Sequence, residues 1–162
     1  MDPAREQLLD AAKALCDDFS RKKDLDTILS HFSTAQPCVA LEHGLPEFAP
    51  FLGRTFRGHE GVREYFSLIA SLLDYRDMNF SDYVVDTQVR KVSVKGRARF
   101  TWKSTNESWD EIFVYVLDFD DEIRVYRYQV WADTAAAYLA RKGQLGESSG
   151  SYSPSPTAID KA

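Results

Sequence analysis

The chain has 162 residues, 44% hydrophobic and 13% aromatic, enough for one domain with a sizeable core. Its 25 acidic residues outnumber 20 basic ones, and the formal charge of -5 opposes binding to a phosphate backbone. Two cysteines cannot build a disulfide framework or a four-cysteine zinc site, and no apolar run approaches the roughly 18 residues of a membrane span.

The opening MDPAREQLLDAAK is charged and amphipathic, unlike a secretory signal, so a cytoplasmic protein is expected. Leu8, Leu9, Ala12, Leu15, Cys16 and Phe19 recur at helical spacing and predict a first helix. A polar connection from Ser20 to Asp24 leads to a short second helix with Leu25, Ile28, Leu29 and Phe32 on one face. Gln36-Pro37 stops it. Cys38 to His43 reads as a strand ending at Gly44, and Leu45 to Gly58 as an apolar loop that folds over something. A third helix starts near His59, with Val62, Tyr65, Phe66, Ile69, Leu72 and Leu73 on its buried face.

From Asn79 the period becomes two. Strands are predicted over Phe80–Asp86, Val92–Lys103 with a bulge at Gly96, Trp109–Phe119 and Ile123–Trp131. Asp133 caps a closing helix over Ala135–Arg141. The domain is expected to span residues 1–143, and residues 144–162, rich in Ser, Pro and Gly, to form a disordered tail. Helices preceding a meander of strands predict the α+β class.

The order and several motifs resemble the SnoaL-like branch of the NTF2-like superfamily. Gly58-x-x-Gly61-Val62-x-x-Tyr65-Phe66 is similar to its glycine-started third helix. Val94-Lys95-Gly96-Arg97-Ala98 resembles its bulged central strand, and Trp109-Asp110-Glu111-x-Phe113-x-Tyr115 its aromatic hairpin. Val125 to Asp133 followed by Thr134-Ala135-Ala136 resembles its last strand and closing helix. The resemblance implies a cone-shaped curved antiparallel sheet, an α+β barrel, wrapped around helices with a central pocket. It also implies a homodimer through the sheet's outer face. The superfamily spans epoxide hydrolases, polyketide cyclases, steroid isomerases, dehydratases and non-catalytic modules, so fold does not decide function. The epoxide hydrolases' Arg-x-Asp pair falls on Trp109-x-Glu111, and a further acid falls on Val130, so their acid–base set is absent.

Alternation places Trp109, Glu111, Phe113, Tyr115 and Leu117 on one face of their strand. Registering Asp133 on the family's helix-capping aspartate puts Tyr126, Tyr128 and Val130 inside; a slip by one residue puts Gln129 and Trp131 there instead. Phe100 and Trp102 are expected in the pocket wall, and His43, in phase with Val39 and Leu41, near its mouth. Glu111 is the candidate proton shuttle, because a carboxyl among aromatic walls is desolvated and its pKa rises. Its bland alternative is a cross-strand partner for Arg99 or Arg127. His43 is the candidate second acid or base, against a histidine that merely caps a strand. Trp102, Trp109, Phe113, Tyr115, Tyr126 and Tyr128 are the candidate substrate-binding residues. His59-Glu60 begins a zinc-protease motif, but Arg63 stands where its second histidine belongs, so no metal is expected. GxGxxG and Walker sequences are absent, so no cofactor is expected and chemistry falls to side-chain acids and bases.

The expected function is therefore a cofactor-independent SnoaL-like isomerase, cyclase or dehydratase acting on a hydrophobic, polyketide- or terpenoid-like small molecule. Nucleic acid and membrane are not expected partners. The alternative is a non-catalytic ligand-binding or dimerising module, with Val114, Val116 and Trp131 on its partner-facing surface.

Overall fold

A computed structural model describes residues 2–146 of the chain; most of the expected tail lies outside the described residues. Helix α1 (Pro3–Ser20) is started by Asp2, whose carboxylate accepts the Ala4 N–H at 3.0 Å, and by Pro3 in its first turn. Its apolar stripe of Leu8, Ala12, Leu15, Cys16 and Phe19 is buried. A short α2 (Leu25–Leu29) is capped by Asp24 through the Thr27 N–H. Strand β1 (Val39–Glu42) and the three-residue β2 (Thr55–Arg57) precede α3 (Gly58–Leu72). The long strands β3 (Leu73–Asp86), β4 (Lys91–Trp102), β5 (Glu107–Phe119) and β6 (Val125–Trp131) follow, and α4 (Thr134–Arg141) closes the domain.

One sheet runs in the order β2-β1-β6-β5-β4-β3. It is curved but open, with β2 and β3 as edges, so the barrel expectation is corrected to an unclosed sheet. It is also not wholly antiparallel. β1 pairs with β6 in parallel, Val39 opposite Arg127 and Glu42 opposite Val130, which the long intervening chain permits. Helix α1 packs on β3 and β4, and α3 packs on β1, β2 and β3, so the core fills the space between helices and sheet. No helix among the described residues is long and apolar enough to cross a membrane.

Three elements differ from the sequence expectation. β3 begins seven residues before Phe80, directly where α3 ends. Register shifts against β4 between Arg76 and Asn79 and between Ser81 and Val84 break its two-residue period. Those bulges lie on β3; β4 pairs with β5 without interruption through Gly96, so the bulge expected at Gly96 is absent. Instead a Cβ at Gly96 would lie 2.2 Å from Phe113 Cε2, and the glycine makes room for that ring. The apolar loop contains β2 and folds Phe51 and Leu52 into the core.

Candidate active site

On β5 the inward set is Trp109, Glu111, Phe113, Tyr115 and Leu117, all buried. Glu111, opposite Ala98 of β4, is only 7% exposed. Its Oε1 accepts the Trp109 indole N–H at 3.2 Å and the Asp133 backbone N–H at 3.1 Å. Oε2 has no hydrogen-bond partner among the described residues. On β1 the inward residues are Ala40 and Glu42. Glu42 Oε2 accepts the Tyr65 hydroxyl at 2.7 Å, so α3 and β1 meet at a buried carboxyl.

Both carboxyls border one cavity of about 90 Å³ open to water-sized spheres, walled mainly by aromatic rings. At a liquid volume of ~30 Å³ per water, this holds roughly three waters. A polycyclic ligand therefore requires wall side chains such as Phe51 and Leu52 of the covering loop to move. No lysine, arginine or histidine borders the cavity among the described residues.

Burial, with no basic side chain on the cavity wall among the described residues, dominates the electrostatics. Desolvation raises Glu42 to about 7, against the lowering effect of the Tyr65 bond. Desolvation raises Glu111 to about 8; the Trp109 bond opposes this, and the charge of Glu42 adds to it. Tyr65, Tyr115 and Tyr128 are pushed well above the ordinary phenol value by burial, so they are neutral hydroxyls. No group of three or more His, Cys, Asp or Glu side chains is arranged to hold a metal among the described residues.

No family model matches the chain, and no curated protein matches it. Solved structures do. An NTF2-like protein of unknown function, BPSS0132 of Burkholderia pseudomallei, superposes with a TM-score of 0.70 at 19% identity, over 83% of this chain and 96% of its own. The chain has the NTF2-like fold. The pinacolase BvnE of Penicillium brevicompactum matches with a TM-score of 0.63 at 18% identity, covering 86% of this chain and 94% of its own. A candidate SnoaL-like polyketide cyclase from Jannaschia sp. matches at 0.68 with 14% identity, covering 86% and 94%.

Within this NTF2-like frame, Glu111, Trp109, Phe113, Tyr115 and Tyr128 come together around the cavity, with Phe100 beside them. Arg99 bonds Asp110 and Arg127 lies near Asp118, so neither is the partner of Glu111. The register that puts Tyr128 and Val130 inside is the one observed; Gln129 and Trp131 face outward.

Three expected site residues lie elsewhere. His43 is on the opposite face, stacked on Trp131 at 4.2 Å and bonded to Gln129 Oε1 at 2.9 Å. Its phase with Val39 and Leu41 is as expected, but that set is the outer one. Tyr126 is displaced by a bulge: Asp118 pairs with Arg127 and Phe119 with Val125, so Tyr126 has no opposite residue and Val125 is buried in its stead. Trp102 is buried outside the cavity wall and packs beside Phe51 at 6.4 Å.

Sequence reasoning missed Glu42 and Tyr65 as site residues and took Asp133 only as a cap. Asp133 does cap α4 through the Ala136 N–H at 3.0 Å, yet it also borders the cavity. The available signal for Glu42 was its alternation with small Ala40, outweighed by the larger side chains of Val39 and Leu41.

Proposed function

We propose that the chain is a cofactor-independent, SnoaL-like enzyme that moves protons on a hydrophobic, polyketide- or terpenoid-like small molecule. The reaction class is isomerisation, cyclisation or dehydration. One observation carries this: Glu42 and Glu111, both buried, border the same aromatic cavity with no basic side chain beside them among the described residues. Two interacting carboxyls titrate as a pair, and raised values put the pair in mixed protonation near neutrality. The ionised member can withdraw a proton beside a carbonyl, while the protonated member returns one. Tyr115 or Tyr128 can donate to the developing oxyanion. The pinacolase and candidate cyclase among the similar structures support this class.

The test is deuterium exchange in D₂O on a panel of hydrophobic enolisable ketones. Wild type should accelerate exchange, and Glu111→Gln and Glu42→Gln should abolish it. Ketones that bind without accelerated exchange would make the protein a carrier.

A second reading, a module that dimerises through the sheet, is favoured by the outer face. There Val114 and Trp131 are directly paired across β5 and β6 and both are exposed.

A further inference from the structure

We propose that the cavity selects a hydrophobic cation, a ligand whose protonated nitrogen sits against Glu42 and Glu111 with aromatic rings around it. This goes beyond the preceding function, whose test substrates are neutral, and rests on that same cavity being a ligand site.

The titratable groups bordering the cavity are Glu42 from β1, Tyr65 from α3, Tyr75 from β3, Glu111 and Tyr115 from β5, Tyr128 from β6, and Asp133 before α4. Three are carboxyls, four are phenols and none is basic among the described residues. An anionic ligand therefore meets only like charge. At the start of α4 the Asp133 N–H is bonded to Glu111 and the Ala136 N–H to Asp133.

Glu111 independently points to a ligand. It is 7% exposed, it borders the cavity, and its Oε2 is without a hydrogen-bond partner among the described residues. Rings line the same cavity and pack on one another, Tyr115 and Tyr128 with centroids at 4.9 Å and Phe113 and Tyr115 at 5.1 Å. A cation enclosed by such rings gains attraction to their electron-rich faces, and enclosure strengthens its pairing with carboxylate. A neutral alcohol satisfies Oε2 by hydrogen bonding but leaves the ionised member of the mixed pair uncompensated. The cation is therefore the better complement.

Calorimetry decides between them. Benzylamine, benzyl alcohol and benzoate share one ring and differ in charge. Each is titrated into the full chain at neutral pH, in two buffers of different ionisation heat. Benzylamine should bind about tenfold tighter than the alcohol. It should release protons as a carboxyl ionises, and benzoate should not bind. Glu111→Gln should bring benzylamine down to the alcohol's affinity, and Glu42→Gln should weaken it in the same direction. Equal wild-type affinities for amine and alcohol would overturn the proposal, whether or not the variants fold. So would the absence of benzylamine binding at millimolar concentration. Either result leaves the proton-transfer reading to the deuterium-exchange test, which uses neutral ketones.

Discussion

The hydroxyl of Tyr65 donates to Glu42 Oε2 at 2.7 Å, and both side chains are buried. That contact fastens α3 to β1 at the cavity wall. Tyr65→Phe keeps the ring and removes the donor. It should cost about 1–3 kcal/mol, because the carboxyl loses its hydrogen bond without gaining water. The bond also favours the ionised form, so its loss should move Glu42 further above about 7. Urea unfolding and carboxyl carbon NMR measure the two effects. An unchanged Glu42 titration in a folded variant would mean that the two groups are not bonded in solution.

Gly96 and Phe113 are directly paired across β4 and β5. A methyl at Gly96 would stand 2.2–2.8 Å from the Phe113 ring, too close to coexist with it. Gly96→Ala should therefore destabilise by roughly 1–3 kcal/mol, the usual range for overpacking. Phe113→Leu should recover part of that loss in the double variant, a coupling that a double-mutant cycle reads directly. Strict additivity would place the glycine's role elsewhere.

The sequence made the layout legible wherever periodicity was clean. α1, α3, β4 and β5 stand close to expectation, since their apolar residues repeat without interruption. The failures arise where a bulge resets alternation or where apolarity misleads. Tyr126 fell to a bulge. His43 fell because Val39 and Leu41 are the larger apolar residues of β1, yet Ala40 and Glu42 face the cavity. A small residue and an acid give no apolar pattern, so Glu42 is visible only once Tyr65 is placed against it. His43→Ala is therefore expected to leave deuterium exchange within about twofold, since the imidazole lies across the sheet from Glu111. A loss comparable with that of Glu111→Gln would return His43 to the chemistry.

Trp131 is 44% exposed and Val114 is 37% exposed, side by side on the outer face. Apolar surface of this kind on neighbouring strands suits contact with a second copy. Light scattering after size exclusion, at tens of micromolar protein, should give the dimer mass. Trp131→Glu should give the monomer, with exchange chemistry in the cavity retained. A wild-type monomer at that concentration would argue against assembly through this face.

Stability should fall as pH rises from mildly acidic to mildly alkaline, opposite to the usual carboxylate trend. In the unfolded chain Glu42 and Glu111 ionise near 4.5, whereas in the fold they hold their protons until about 7 and about 8. Across that window the folded state binds protons that the unfolded state has lost, so each pH step favours unfolding. The total reaches several kcal/mol, and the decline levels off once both are ionised in the fold. Asp24 and Asp74 do not mask it: their values are lowered, by the Thr27 cap and by Lys22, so they act at the acid end. Glu42→Gln and Glu111→Gln should each flatten the decline and gain stability relative to wild type near pH ~8. Urea midpoints between about pH 5 and pH 9 give the comparison. Wild-type and variant curves running parallel through that window would show that the two carboxyls are ionised in the fold, and so solvated.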